Sequence, residues 1–132
     1  MKEAALQTIY LKDYTVPAYL VDNVQLTFRL HPTKTRVISR VAFRPNPDST
    51  ERSFTLHGES MQLISATIDG QSCAPVIENE LLTAEAPNAP FIWEAEVEIS
   101  PETNTALEGL YMSGGMYCTQ CEAEGFRKIT YY

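Results

Sequence analysis

Apolar and polar residues alternate along most of this chain. In residues 24–30, Val24, Leu26, Phe28 and Leu30 are apolar while Gln25, Thr27 and Arg29 are polar. A period of two marks a half-buried strand, because successive side chains point to opposite faces. His31-Pro32-Thr33-Lys34 reads as a turn. Residues 35–44 then place Val37, Val41 and Phe43 on one face and Arg36, Arg40 and Arg44 on the other. Pro45-Asn46-Pro47-Asp48 ends that strand, since proline donates no ladder hydrogen bond. The two strands make a hairpin.

Further strands are predicted over residues 53–57 and 62–68, with Asp69-Gly70 as a hairpin turn. Residues 74–77 and 81–84 predict a second short hairpin around Glu78-Asn79-Glu80. The clearest strand covers residues 91–99, with Phe91, Trp93, Ala95, Val97 and Ile99 pointing one way and Ile92, Glu94, Glu96 and Glu98 the other. The inward row is expected to include Phe28, Phe43, Trp93 and Val97. The nearest approach to a helical pattern is residues 2–10, and no helix longer than about three turns is expected. Many short strands with frequent turns predict an all-β sandwich or barrel.

Composition narrows the function classes. At 132 residues the chain fits one domain, residues 1–132, able to bury roughly two-thirds of its unfolded surface. Apolar residues are 44% of it, too many for disorder. A net charge of −7 argues against a nucleic-acid or anionic-membrane surface, which needs clustered Lys and Arg. The N-terminus lacks the apolar core of a secretory signal, no apolar run is long enough to span a membrane, and the odd cysteine count argues against a disulfide framework. The expected compartment is therefore the cytoplasm.

Three groups of residues invite chemical readings. Cys118-Thr119-Gln120-Cys121 is a C-x-x-C, half of a zinc site or a redox pair. Zinc needs two more ligands, and Cys73, His31 and His57 offer no ordered spacing. The redox reading needs a strand-to-helix context, whereas the following residues look like strand; the plainer reading is two small buried thiols. Glu94, Glu96 and Glu98 recur about 7 Å apart on one strand face, either a cation site or a solvated face. There is no H-E-x-x-H, so this chain builds no zinc site of that kind. Residues 104–132 combine Gly114-Gly115, the paired cysteines, and Glu122 and Glu124 beside Gly125, the texture of a site-bearing loop.

That last segment carries a resemblance. Asn104-Thr105-Ala106-Leu107-Glu108-Gly109-Leu110-Tyr111, then Cys118-Thr119-Gln120-Cys121-Glu122-Ala123-Glu124-Gly125-Phe126-Arg127 and Ile129-Thr130-Tyr131, resemble the N-terminal domain of the bacterial-type aminopeptidase N family, zinc-dependent enzymes that remove N-terminal amino acids from peptides. Tyr10-Leu11-Lys12-Asp13-Tyr14 and Pro17-Ala18-Tyr19 are similar to the start of that domain. The resemblance implies a saddle-shaped β-sandwich of short, mostly antiparallel strands. It also implies that Glu122 binds the substrate's free amino group and that Gln120 lines the first side-chain pocket. Zinc, the H-E-x-x-H helix and the catalytic domain are implied for the parent enzyme and lie outside this chain, so the chain alone is expected to hold no metal and to be inactive. The family's first domain is longer than 132 residues, which makes an incomplete sheet the expectation, with edge-strand self-association of the isolated chain. Two other classes stay open: a free-standing β-sandwich binding module, and a redox or zinc protein built on the C-x-x-C.

Overall fold

A computed structural model describes residues 10–132. The expected helical pattern at residues 2–10 lies outside the described residues except for Tyr10. Ten strands and two short 3-10 turns, Leu11–Asp13 and Gly125–Lys128, make up the regular structure among the described residues. All strand pairs are antiparallel.

The alternation at Thr35–Pro45 (β2) and Phe91–Ile99 (β8) builds the centre of the main sheet. These strands pair in one unbroken register from Thr35 opposite Ile99 to Phe43 opposite Phe91. Val37, Val41, Phe43, Trp93 and Val97 are buried on one face. Tyr19–Arg29 (β1) flanks β2, and Gln62–Ile68 (β4) flanks β8 and carries the two-residue Gln71–Ser72 (β5), giving the order β1-β2-β8-β4-β5. The β4–β5 turn is Asp69-Gly70, both at positive φ (50° and 80°), as the tight hairpin turn requires.

A second sheet lies on the buried face. It contains Phe54–His57 (β3), Leu81–Ala84 (β7) and Val76–Glu78 (β6) in the order β3-β7-β6. The β6–β7 turn is Asn79-Glu80, again with positive φ at both positions. Phe54 meets Tyr19, Phe43, Phe91 and Trp93 with ring centroids 4.9–5.6 Å apart and steep interplanar angles. Such edge-to-face contacts add to the apolar area they bury. Trp93 Nε1 sits in this cluster with no hydrogen-bond partner among the described residues, a cost of about 1–3 kcal/mol that the surrounding packing must offset.

The outer face of the main sheet departs from the sequence reading. Glu94, Glu96 and Glu98 are half-buried rather than freely solvated, because the register sets arginines against them. Arg36 reaches Glu96 at 2.6 Å and Glu98 at 3.1 Å, and Arg40 reaches Glu94 at 2.7 Å. The hydrogen bond from Arg36 to Glu96 is the main reason the Arg36 guanidinium is held above its ordinary range. These carboxylates are committed to cross-strand pairing.

The inward row also needs a correction. Phe28 stands opposite Val37 and so faces inward, yet it is 37% exposed while Val37 is 0%. Val24 and Leu30 are exposed as well. The register is as expected, but the second layer does not reach the far end of β1. Phe54→Ala should therefore cost about 3–5 kcal/mol, and Phe28→Ala less than half of that. Chemical denaturation of the purified variants measures the difference, and equal losses would show that the far end of β1 is covered.

Candidate functional site

The C-terminal quarter of the chain is built around one glycine-turned hairpin. Gly109–Ser113 (β9) pairs with Met116–Gln120 (β10), and Gly114 and Gly115 take positive φ (57° and 81°) at the turn. Ahead of it, Asn104 shapes the loop. Its Nδ2 donates to the Glu108 and Leu110 carbonyls at 2.7 and 2.9 Å, and its Oδ1 accepts from Ala106 N–H at 3.1 Å. The first motif of the sequence is thus a loop held by its own asparagine.

At the open end of the hairpin, Gln120 pairs with Gly109. The chain then turns through residues 121–125, closed by Gly125 N–H to Cys121 O at 2.9 Å. Gln120 Oε1 accepts from Glu122 N–H at 3.1 Å and braces the turn from inside. The Glu122–Ala123 peptide is cis. Gln120 and Glu122 are both exposed, and among the described residues Glu122 makes no ion pair. Glu124 instead reaches Arg127 at 3.5 Å. The structure brings Gln120 and Glu122 together and separates Glu122 from Glu124 by what each touches.

The turn is anchored to the core through its far side. Ile129, Thr130 and Tyr131 are buried. Thr130 Oγ1 lies 3.4 Å from Ser39 Oγ on β2. Tyr132 exchanges both backbone hydrogen bonds with His57 of β3 at 2.9 and 3.0 Å, and Lys128 pairs with Glu59 at 3.3 Å.

Two expectations for the C-x-x-C fail. The residues after it form a turn and the 3-10 turn at Gly125–Lys128 rather than a strand, because Gly125 closes back on Cys121. The thiols are not both buried: Cys118 is half-buried and Cys121 exposed, and each is a free thiol. The other proposed ligands lie elsewhere. His31 Nδ1 takes hydrogen bonds from the Thr33 and Lys34 amides at 3.2 and 3.1 Å. Among the described residues no group of three or more His, Cys, Asp or Glu is placed to hold a metal ion, so these side chains do not fit a zinc centre. No helix among them is long and apolar enough to cross a membrane.

Two hollows are open on the surface. One, about 860 Å³, runs between residues 14–21 and β3; the other, about 330 Å³, lies between Ser100, Asn104, Leu110 and Lys128. Neither is lined by Gln120 or Glu122, so neither holds the two predicted site residues.

Comparison with known proteins places this geometry. No family model matches the chain. Aminopeptidase N of Caulobacter vibrioides is 45% identical over 136 residues, covering 100% of this chain. Aminopeptidase N of Escherichia coli is 41% identical over 96% of the chain, and that of Haemophilus influenzae 41% over 92%. The chain belongs to the aminopeptidase N family. It matches the N-terminal region of these proteins and spans only 16%, 14% and 14% of their lengths. A crystal structure of Legionella pneumophila aminopeptidase A in complex with aspartic acid superimposes with a TM-score of 0.81 at 28% identity, over 92% of this chain and 15% of that one. The all-β fold is therefore that of an aminopeptidase N-terminal region.

Within this aminopeptidase N region, neither the Tyr132–His57 ladder nor the Gln120 brace has a signal in the sequence; both are contacts between residues whose own patterns are ordinary. The thiols offer a direct check. Burial pushes the Cys73 thiol up from its ordinary value of 9.0, which lowers its thiolate fraction at any given pH. Alkylation at pH 8, followed by peptide mass analysis, should label exposed Cys121 before Cys73. Joint protection of Cys118 and Cys121, reversed by a chelator, would restore the zinc reading.

Proposed function

We propose that this chain is the substrate-anchoring domain of a zinc aminopeptidase, with Glu122 binding the free α-amino group of a peptide and Gln120 bordering the pocket for its first side chain. The observation that carries this reading is the placement of Glu122: an exposed carboxylate without an ion pair among the described residues, on a turn closed at both ends. An exopeptidase must measure one residue from a charged end. A fixed carboxylate does so through charge-assisted hydrogen bonds to an ammonium, and this sets where the first peptide bond is presented. The Legionella aminopeptidase A structure holds aspartic acid, a free α-amino acid with the group that Glu122 would bind.

Gln120 suits the neighbouring role. Its Oε1 is occupied by Glu122 N–H, so its amide nitrogen and apolar stem remain to border a substrate side chain. Zinc, when bound in the parent enzyme, would supply an activated water and polarise the peptide carbonyl. Nothing among the described residues fits that ion, so in this reading the metal, the hydrolysis and the cytoplasmic processing of peptides belong to the whole enzyme, and the isolated chain does not turn over substrate.

In the full-length enzyme, Glu122→Ala should cost about 3–5 kcal/mol, because it leaves a buried ammonium unpaired. That is roughly two to four decades in kcat/KM. Gln120→Ala should cost about 1–3 kcal/mol and mainly reorder substrate preference. Steady-state kinetics on a set of aminoacyl amides compares them, with the isolated chain as the inactive control. Near-normal efficiency for Glu122→Ala alongside uniform loss for Gln120→Ala would reject the assignment and move the anchor to Glu124.

A further inference from the structure

We infer that Gly125, seated on Gly109, is a positioning residue that sets where Glu122 stands; this rests on the anchoring role proposed above. Gln120 and Gly109 form the last rung of the β9–β10 hairpin. A Cβ on Gly125 would collide with the Gln120 carbonyl oxygen and press on Gly109 N at 3.1 Å. The Gly125 backbone therefore lies directly on that rung. Gly109 is constrained from the other side: its φ is +75°, and a Cβ there would meet Lys128 Cβ at 2.8 Å and Gly125 O at 3.1 Å. Both glycines are buried. The contact between them is backbone against backbone, with no side chain able to yield.

The turn that carries Glu122 spans the two ends of this contact. One end is Gln120, whose main chain receives Gly125 and whose side chain braces Glu122. The other is Gly125 itself, bonded to Cys121 O. Ordinary C···O contacts lie near 3.3 Å, so clearing a Cβ on Gly125 moves the turn by roughly 1 Å. A displacement of that size in a binding constellation is worth about 10²-fold. Gly125 touches no substrate in this picture; it acts through Glu122.

The test uses the full-length enzyme and two competitive inhibitors: n-butylamine, which presents an ammonium, and acetohydroxamate, which binds metal and has no amino group. Gly125→Ala is expected to raise the inhibition constant of the amine at least about tenfold and to leave that of the hydroxamate within about twofold. Unchanged amine inhibition would overturn the inference. An equal rise for both inhibitors would overturn it too, since general structural damage would do the same. Glu122→Gln in the same assay keeps the two proposals apart: if it leaves amine inhibition unchanged, the anchor assignment fails whatever Gly125 does. Should Gly125→Ala not fold, one glycine inserted between Ala123 and Glu124 slackens the turn without adding a Cβ at the contact, and the same outcomes decide.

Discussion

The ring of Phe54 is the joint on which the rest of this structure depends. It comes from the small sheet and meets Tyr19 of β1, Phe43 of β2, and Phe91 and Trp93 of β8. These four contacts tie the small sheet to three strands of the main one. With Phe54 in place, β3 lies over the central strands, and His57 at its end can accept Tyr132. That ladder lays Ile129 to Tyr131 into the core, where Tyr131 stacks on Gly58 so closely that a Cβ there would strike the ring. The 3-10 turn just before this segment then presents Gly125 to Gly109. A carboxylate on the surface is thus placed by an aromatic cluster deep in the core, through a series of short rigid contacts.

Much of the main sheet was legible because its chemistry is local. The strands at Gln62–Ile68 and Phe91–Ile99 have the bounds that alternation predicts, and both Asp69-Gly70 and Gly114-Gly115 turn as glycine-bearing pairs should. What failed was anything that depends on a neighbour. Strand β1 starts at Tyr19, five residues before the clean alternation, because the register shifts between Val21 and Asn23 and the pattern skips a beat there. Phe28 faces inward as its period requires, but period says nothing of whether a second layer lies above it. Glu94, Glu96 and Glu98 look like a solvated stripe until the register sets Arg36 and Arg40 beside them.

The candidate site was legible in a different way. No property of Gln120 or Glu122 marks them within the chain; two other acids, Glu108 and Glu124, sit in the same segment. Likeness to a family singled them out, and the whole-length match to aminopeptidase N supports that family. The structure contributes what likeness does not carry. It shows Gln120 as the brace of the turn, it ties Glu124 to Arg127, and it moves the C-x-x-C from buried core to a partly exposed edge.

An exposed carboxylate is a poor anchor by itself. In water an ion pair between mobile, solvated groups is worth about 0–1 kcal/mol, too little to fix the end of a peptide against its own entropy. The same pair gains strength only when water is excluded around it. The described residues supply the rigidity but not the exclusion: the turn is closed at both ends, while Glu122 is exposed. The missing element is a low-dielectric wall facing the turn. Rigidity and exclusion are separable requirements, and a turn whose position is set by backbone contacts keeps its geometry whichever surface comes to cover it. That separation explains why the motif residues devoted to shape, Asn104, Gly109 and Gly125, outnumber the two that would touch a substrate.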